Sequence, residues 1–209
     1  MKNVLIINAS SRDAKSKSKK LTKIFVEKWK NVNPNDNFIY REIGKGLIPH
    51  ITEDWVEGAF KPEETRTDNE KKALQISDEL VRELKDSDVV VLSTPMYNWS
   101  IPSSLKAYID QVLRANETLA INPETPKSPY VGLLKNKKAF LILVRGGTGY
   151  ANGEFYSHMD FQTTYLKTVF NIIGITDIES IIMDSADINE KESESSFQKC
   201  THRINEVIK

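Results

Sequence analysis

Three short stretches of the 209-residue sequence combine residue types that could bind a charged, partly aromatic small molecule. Residues 8–18, NASSRDAKSKS, are rich in serine and lysine, and residues 96–99 read Met-Tyr-Asn-Trp. Residues 144–147 read Val-Arg-Gly-Gly. Each stretch follows a short, bounded apolar run, which is typical of a buried strand. The residues that could bind such a molecule therefore lie at the ends of predicted strands.

The first stretch contains Ser10 and the group Ser16-Lys17-Ser18, just before a predicted helix. Hydroxyl groups and free N–H groups at a helix N-terminus suit a phosphate monoester. The stretch has no glycine, which excludes the GxGxxG and Walker patterns. A solvated loop with serine caps could have the same composition. Its place after the first strand favours a phosphate site.

The second stretch places Met96, Tyr97 and Trp99 around Asn98. The three large side chains could wall a flat ring, while the amide and the N–H groups of the turn bond its polar edge. A ligand pocket needs mostly apolar walls and a few polar groups. Alternatively, the aromatic residues complete the core or a subunit contact. Three such residues around one amide favour the pocket.

The third stretch carries the paired glycines Gly146 and Gly147 behind Val144 and Arg145. Glycines let a backbone approach a ligand without Cβ atoms in the way. Their N–H groups could face a carbonyl or a developing anion, as oxyanion donors do. A flexible turn is the alternative for this stretch taken alone.

Composition excludes several classes of protein. Lys plus Arg equals Asp plus Glu, 29 each, so no global field attracts nucleic acid or anionic lipid. No apolar stretch reaches the ~20 residues of a membrane span, and the start lacks a signal-peptide pattern. A single cysteine, Cys200, excludes an intrachain disulfide. We expect a cytoplasmic chain that binds neither nucleic acid nor membrane.

Alternating apolar runs and amphipathic stretches predict five strands and five helices over one domain, residues 1–209. The strands are predicted at 4–7, 38–40, 89–93, 139–144 and 178–183, and irregular segments at 44–67 and 116–134. This alternation indicates an α/β fold with a parallel sheet covered on both faces, and the flavodoxin-like doubly wound order 2-1-3-4-5. In such a sheet the loops after strands one, three and four meet at one edge, where ligands bind.

The three stretches in this order resemble the FMN-dependent NADH-azoreductases, a quinone-reductase family of flavodoxin-like fold. The resemblance covers nearly the whole chain, including PMYNWSIPSSLKAYIDQ at 95–111, RGG at 145–147 and MDFQTTYLKTVFNIIGITDI at 159–178. The resemblance implies that Ser10, Ser16, Lys17 and Ser18 hold the FMN phosphate. It also implies that the isoalloxazine contacts Met96, Tyr97, Asn98, Trp99, Val144, Arg145, Gly146 and Gly147.

The resemblance further implies an enzyme that takes hydride from NADH onto flavin N5 and passes two electrons to a quinone or azo compound, by ping-pong kinetics. Members of the family are homodimers with both active sites at the interface. The segments 44–67 and 116–134 would then be interface and pocket walls.

The sequence departs from the family pattern at Val144, where serine is frequent. It departs again at Leu119, where phenylalanine is frequent and which with Trp99 would border the substrate.

The reduction also needs a proton, and the sequence offers more than one source for it. His158 and Tyr156 lie just beyond the glycine turn, although a histidine there is more often a surface or packing residue, and water could serve equally well. His50, His202 and Cys200 show no pattern of catalytic partners. Two other functions share this fold: a flavodoxin-type electron carrier and an FMN-free interaction protein. Such carriers are usually strongly acidic, whereas this chain is neutral.

Overall fold

The computed structural model describes residues 1–46, 48–125 and 129–208, and its centre is a five-stranded parallel sheet. The strands, in chain order, are β1 (Asn3–Asn8), β2 (Asn37–Glu42), β3 (Val89–Pro95), β4 (Leu119–Ile121), β5 (Tyr130–Gly132), β6 (Lys138–Val144) and β7 (Asp177–Met183). The main sheet has the order β2-β1-β3-β6-β7. Because β4 and β5 form a separate pair, β6 and β7 are the fourth and fifth strands of this sheet, and its order is 2-1-3-4-5. The doubly wound order predicted from the sequence is confirmed.

Helices cover both faces of the sheet. They are α1 (Lys17–Val32), α2 (Glu53–Ala59), α3 (Asp68–Asp86), α4 (Ser103–Val112), α5 (Phe161–Ile172) and α6 (Glu190–Val207). Short 3-10 helices occupy Glu63–Thr65 and Ser157–Met159. Apolar residues of α3, α4 and α5 pack on one face, and those of α1 and α6 on the other.

The strands alternate between these two cores. In β1, Leu5 and Ile7 belong to the cluster under α3, α4 and α5, while Val4 and Ile6 belong to the cluster under α1 and α6. Successive side chains of a strand point to opposite faces, so a strand buried on both faces must be apolar throughout. The short apolar runs of the sequence therefore mark the central strands, and the more polar β2 lies at an edge, as predicted.

The two segments predicted to be irregular contain regular structure. Residues 44–67 include α2, whose first turn is capped by Thr52. Residues 116–134 include the antiparallel pair β4 and β5. Leu47, in the first segment, and residues 126–128, in the second, lie outside the described residues. The prediction of five helices thus missed a sixth, and the prediction that 116–134 is irregular missed the short strand pair β4 and β5.

Candidate functional site

A cavity of about 240 Å³ lies where β1, β3, β6 and β7 end. It is lined by Ser10, Arg12, Lys15, Ser16, Lys17, Ser18, Pro95, Met96, Tyr97, Val144, Gly146, Ala186 and Asp187. All three stretches singled out in the sequence therefore contribute to one cavity. The fold brings them together because parallel strands present their carboxyl ends at the same edge.

A larger cavity of about 640 Å³ lies between α3 and the segments after α2 and α4. Several charged side chains on its walls are paired with each other, as in the ion pairs of Arg114 with Asp78 and Lys85 with Glu117. No residue predicted to bind a ligand lines it. The smaller cavity is therefore the better candidate for the functional site.

The floor of the candidate site is the N-terminus of α1. Ser16 caps the helix, its Oγ accepting from the N–H of Lys19 at 3.2 Å, and this Oγ lies 3.1 Å from Ser18 Oγ. Both side chains are at least 97% buried, as is Ser10. The first turn holds no acidic residue, and its N–H groups have no carbonyl one turn earlier to bond. Two hydroxyls and the positive end of a helix thus converge on a place suited to an anion.

Lys17 connects two walls of the cavity. Its ammonium group donates to the carbonyl oxygen of Ala186 and lies 3.7 Å from the carboxylate of Asp187. The side chain therefore runs from the start of α1 to the loop after β7. Its charge borders the cavity, but its hydrogen bond goes to the protein.

The second wall is a tight hairpin turn after β3. Tyr97 and Ser100 exchange two backbone hydrogen bonds of 3.0 Å, and the residues between them, Asn98 and Trp99, have φ angles of 48° and 64°. Two positive φ angles in a two-residue loop are characteristic of a type I′ turn. A tryptophan in the left-handed region costs roughly 1–2 kcal/mol, because its Cβ crowds the next carbonyl. Asn98 and the half-exposed Trp99 stand at the tip of this turn, next to the cavity-lining Met96 and Tyr97.

Replacing Trp99 with glycine is expected to leave the melting temperature unchanged or raise it. The variant would have Asn-Gly at the turn, the dipeptide that type I′ turns favour most, and would lose the left-handed cost of about 1 kcal/mol. Differential scanning calorimetry of the wild type and Trp99→Gly measures this. As the control, Tyr97→Gly removes a side chain at a position outside the positive-φ pair and should be destabilising. A clear drop in melting temperature for Trp99→Gly would show that the indole is a packing residue.

The third wall is the turn at residues 144–147, which is hydrogen-bonded to the loop after β7. The carbonyls of Arg145, Gly146 and Gly147 accept from the N–H groups of residues 186, 187 and 185, at 2.8–3.0 Å. Within the described residues, the N–H groups of Gly146 and Gly147 donate to no backbone carbonyl. Both groups are therefore without a backbone partner in that part of the chain. A Cβ at position 146 would lie 3.0 Å from a carboxylate oxygen of Asp187, so a side chain there would crowd the wall.

The second and third walls are joined directly. The N–H of Met96 donates to the carbonyl of Val144 at 2.7 Å. This bond continues the pairing of β3 with β6 past the end of the sheet. The two stretches therefore cannot move independently at this point.

Arg145 does not point its side chain at the cavity. Its guanidinium group is 99% buried, 2.7 Å from Asp160 and 3.5 Å from Asp184, and it also donates to Thr163 Oγ1. Burial raises the pKa of Asp184 above its ordinary value, and the Arg145 cation opposes this rise. The side chain of Arg145 thus acts behind the turn, whereas its backbone belongs to the wall.

The remaining predicted residues lie elsewhere. Tyr156 and His158 are exposed, and neither lines the cavity; the ring of Tyr156 packs edge-on against Phe155 at 4.8 Å. Leu119 is 91% buried in β4, away from the cavity-lining set. The exposed His202 is 3.2 Å from Glu206.

Cys200 is buried on α6, and its thiol donates to the carbonyl of Ile182 at 3.2 Å. Burial raises the pKa of this thiol to about 11. A thiol with so high a pKa is a poor nucleophile. Cys200 is therefore a packing residue in this fold.

Sequence reasoning missed the contribution of the loop after β7. Ala186 and Asp187 line the cavity, and Lys17 bonds to this loop. The loop's place after a fifth parallel strand was a usable signal, because that strand ends at the same edge of the sheet. Arg12, Lys15 and Pro95 also line the cavity and were passed over within stretches that were otherwise recognised.

Comparisons with known proteins agree with this architecture. A family model described as "Flavodoxin-like fold" matches residues 2–208. The chain is 40% identical over 195 residues to an FMN-dependent NADH:quinone oxidoreductase of Nostoc punctiforme, with 93% of each chain covered. It is 35% identical over 208 residues to a protein of the same name from Nostoc sp., covering 100% of this chain and 99% of the relative.

Solved structures give the same picture. An azoreductase from Bacillus anthracis str. Sterne superposes with a TM-score of 0.89 at 26% identity, over 100% of this chain and 99% of that one. An FMN-dependent NADH-azoreductase from Bacillus anthracis str. Ames Ancestor, in complex with FMN, gives a TM-score of 0.86 at 25% identity, with both chains fully covered. Within the described part of this chain, no helix is long and apolar enough to span a membrane.

Proposed function

The chain belongs to the flavodoxin-like family of FMN-dependent NADH:quinone oxidoreductases, and from this we propose that it binds FMN and uses NADH to reduce quinones or azo compounds. We propose further that residues 1–209 form a single FMN-binding domain. The observation that carries the proposal is the convergence of two buried serine hydroxyls, a helix N-terminus and a glycine turn on one cavity. This donor set matches a ligand with an anionic tail and a flat polar-edged ring.

The α1 end of the cavity fits the phosphate of FMN. Ser16 and Ser18 offer hydroxyl groups, and the first-turn N–H groups point out of the helix end. Lys17, Arg12 and Lys15 add positive charge around the same opening. Ser10 Oγ accepts from the N–H of Arg12 at 3.2 Å, so its hydroxyl proton remains free for a phosphate oxygen.

The opposite end of the cavity fits the isoalloxazine ring. Met96 and Tyr97 supply apolar surface, and Gly146 leaves the backbone uncovered so that its N–H can reach a ring oxygen. Asn98 and Trp99 stand beyond them at the tip of the hairpin turn. We propose that Trp99 borders the position where NADH and the acceptor alternate, with Leu119 as part of the same pocket across a dimer interface.

Bound FMN would supply the redox chemistry, accepting hydride at N5 from NADH and returning two electrons to the acceptor in a ping-pong sequence. The chain's own residues bind, orient and shield. The N–H groups of Gly146 and Gly147 stabilise negative charge at the ring edge they face, as preorganised backbone donors do. The hairpin turn keeps Met96 and Tyr97 fixed because its bond to Val144 ties it to β6. The proton that accompanies reduction of the acceptor comes from water or from the exposed His158 or Tyr156.

We propose that the active unit is a cytoplasmic homodimer whose two sites lie at the subunit interface. The support is an exposed aromatic cluster beyond the glycine turn, in which Phe155 is 81% exposed, Phe161 58% and Tyr156 44%. Exposed apolar patches of this kind mark interaction sites in soluble proteins. We propose small-molecule acceptors and another copy of the chain as partners, because the zero formal net charge gives no support to nucleic acid or membrane.

Two rival functions make different predictions. A flavodoxin-type electron carrier would be yellow and pass single electrons, with no turnover of NADH. An FMN-free interaction protein would purify colourless and take up no added FMN. The serine-lined helix end favours a phosphate-bearing ligand over the second rival.

The test is the visible spectrum of the purified protein, followed by an anaerobic titration with NADH and steady-state kinetics with a soluble quinone. We expect flavin absorption bands, bleaching by one equivalent of NADH, and parallel lines in double-reciprocal plots. Parallel lines follow when both substrates use one position in turn. A yellow protein that NADH does not bleach, or a protein that takes up no FMN, would refute the proposal.

A further inference from the structure

Two buried polar side chains lie behind the ring end of the cavity and not in it. Gln162, on α5, is fully buried. Its Oε1 accepts from Nε of Arg145 at 3.4 Å, and its Nε2 donates to the carbonyl of Thr94 at 3.4 Å. The amide therefore bridges the turn after β6 and the end of β3. We call Arg145 and Gln162 together the clamp.

The clamp acts on the backbone that carries the proposed ring contacts. Thr94 is two residues before Met96, and Arg145 immediately precedes Gly146. Both Met96 and Gly146 line the cavity. A shift of the Thr94 carbonyl or of the Arg145 backbone would therefore move a cavity wall directly.

Arg145 connects the clamp to two further elements. It lies 2.7 Å from Asp160, which caps α5 by accepting from the N–H of Thr163 at 2.9 Å. It lies 3.5 Å from Asp184, just after β7. The ends of β6 and β7 and the start of α5 are thus joined through one guanidinium group, and the Gln162 amide adds the end of β3. The Gln162 distances are long for N–H···O bonds, so each contributes little to the free energy of folding. The effect of the Gln162 amide is instead to fix the position of the Thr94 backbone relative to Arg145.

We propose that Arg145 and Gln162 are positioning residues for the flavin ring, which they affect through the backbone at positions 94–97 and 144–147. This inference rests on the proposed function. A ring held by backbone donors needs those donors prearranged, and a supporting layer of buried hydrogen bonds provides that order. The clamp lies on the side of the walls away from the ligand, and it holds the ring site without touching the phosphate end.

The experiment compares Gln162→Met with Gln111→Met. Gln111 is a matched control: it is equally buried and bridges Trp55 and the carbonyl of Pro49, but it does not line the cavity. The dissociation constants of FMN and of riboflavin, which lacks the phosphate, are measured by flavin fluorescence with the apoprotein, beside the melting temperature. We expect Gln111→Met, which loses the shorter hydrogen bonds, to lose more stability than Gln162→Met, and Gln162→Met alone to bind both flavins about tenfold more weakly. Its bound flavin should also show a shifted visible spectrum.

A second variant separates the two arms of the amide. In its ionised form, Gln162→Glu can still accept from Arg145 but cannot donate to the Thr94 carbonyl, and we expect it at high pH to weaken riboflavin binding about as much as Gln162→Met does. The inference is overturned if Gln162→Met and Gln162→Glu bind riboflavin like the wild type, or if Gln111→Met weakens it equally. A wild-type protein that takes up neither flavin would instead refute the proposed function itself, and the inference with it.

Discussion

Arg145→Met is expected to lower the free energy of unfolding by several kcal/mol, at most the roughly 3–5 kcal/mol that losing one partner of a fully buried ion pair costs, because it leaves two partly buried carboxylates without their cation. Asp160 and Asp184 both face the guanidinium group, and the side chain of Asp160 is only 13% exposed. Methionine fills most of the space, so the loss reports charge and not volume. Urea denaturation followed by circular dichroism gives the free energy of unfolding for both proteins.

Arg203→Met is the control for this prediction. Arg203 also contacts two carboxylates, Glu179 at 2.6 Å and Glu206 at 3.0 Å, but its own side chain is 45% exposed, whereas that of Arg145 is 1% exposed. Exposed ion pairs add little to stability, so the free energy of unfolding of Arg203→Met should match that of the wild type. Adding Asp160→Asn to Arg145→Met should recover part of the loss, since it removes one unpaired charge. If Arg145→Met and Arg203→Met lowered the free energy of unfolding equally, the ion pairs of Arg145 would not have the predicted role in stability.

Ser16→Asp is expected to weaken FMN binding about 100-fold, which corresponds to roughly 2.7 kcal/mol, while riboflavin binds as it does to the wild type. Aspartate caps a helix as well as serine does, so its carboxylate can accept from the N–H of Lys19 and preserve α1. The same carboxylate puts a negative charge beside the place proposed for the phosphate. Like charges in a partly buried site repel strongly. Fluorescence titration of the apoprotein with each flavin measures the two dissociation constants.

The control for this variant is Asn189→Asp, which places a carboxylate at the N-cap of α6. Asn189 caps its helix in the same way but does not line the cavity. FMN binding by Asn189→Asp should be unchanged. If Ser16→Asp weakened riboflavin and FMN binding equally, the phosphate would have to lie elsewhere. The contrast with Gln162→Met, which should affect both flavins, distinguishes the two ends of the site.

The parallel sheet could be predicted because its signal is local. Runs such as Val89–Leu92 are apolar at every position, and only strands buried on both faces require that pattern. The short elements could not be found in the same way. β4 and β5 have three residues each and are defined by pairing across a long loop. α2 has seven residues, too few for a periodic signal, although the Thr67–Glu70 capping box at the start of α3 was readable.

The candidate site was predictable as a set of loops but not as a set of side-chain directions. Ser16 and Ser18 could be placed because an N-terminal helix position constrains what a serine can bond. Arg145 could not, because its direction is decided by Asp160 and Asp184, which lie 15 and 39 residues further along the chain. The turn at residues 96–99 was recognised, but its type I′ hairpin geometry was not, since a tryptophan is a poor marker for positive φ.

The buried thiol of Cys200 has a consequence for a protein that handles quinones, as proposed here. Quinones are electrophiles that add to thiolates, and an enzyme reducing them meets them at every turnover. Because burial raises its pKa to about 11, the thiol is almost entirely protonated at pH 7, and the Cys200 side chain is buried on the inner face of α6. We therefore expect the single cysteine of the chain to resist arylation, and the enzyme to resist inactivation by unreacted acceptor, if quinones are its substrates as proposed.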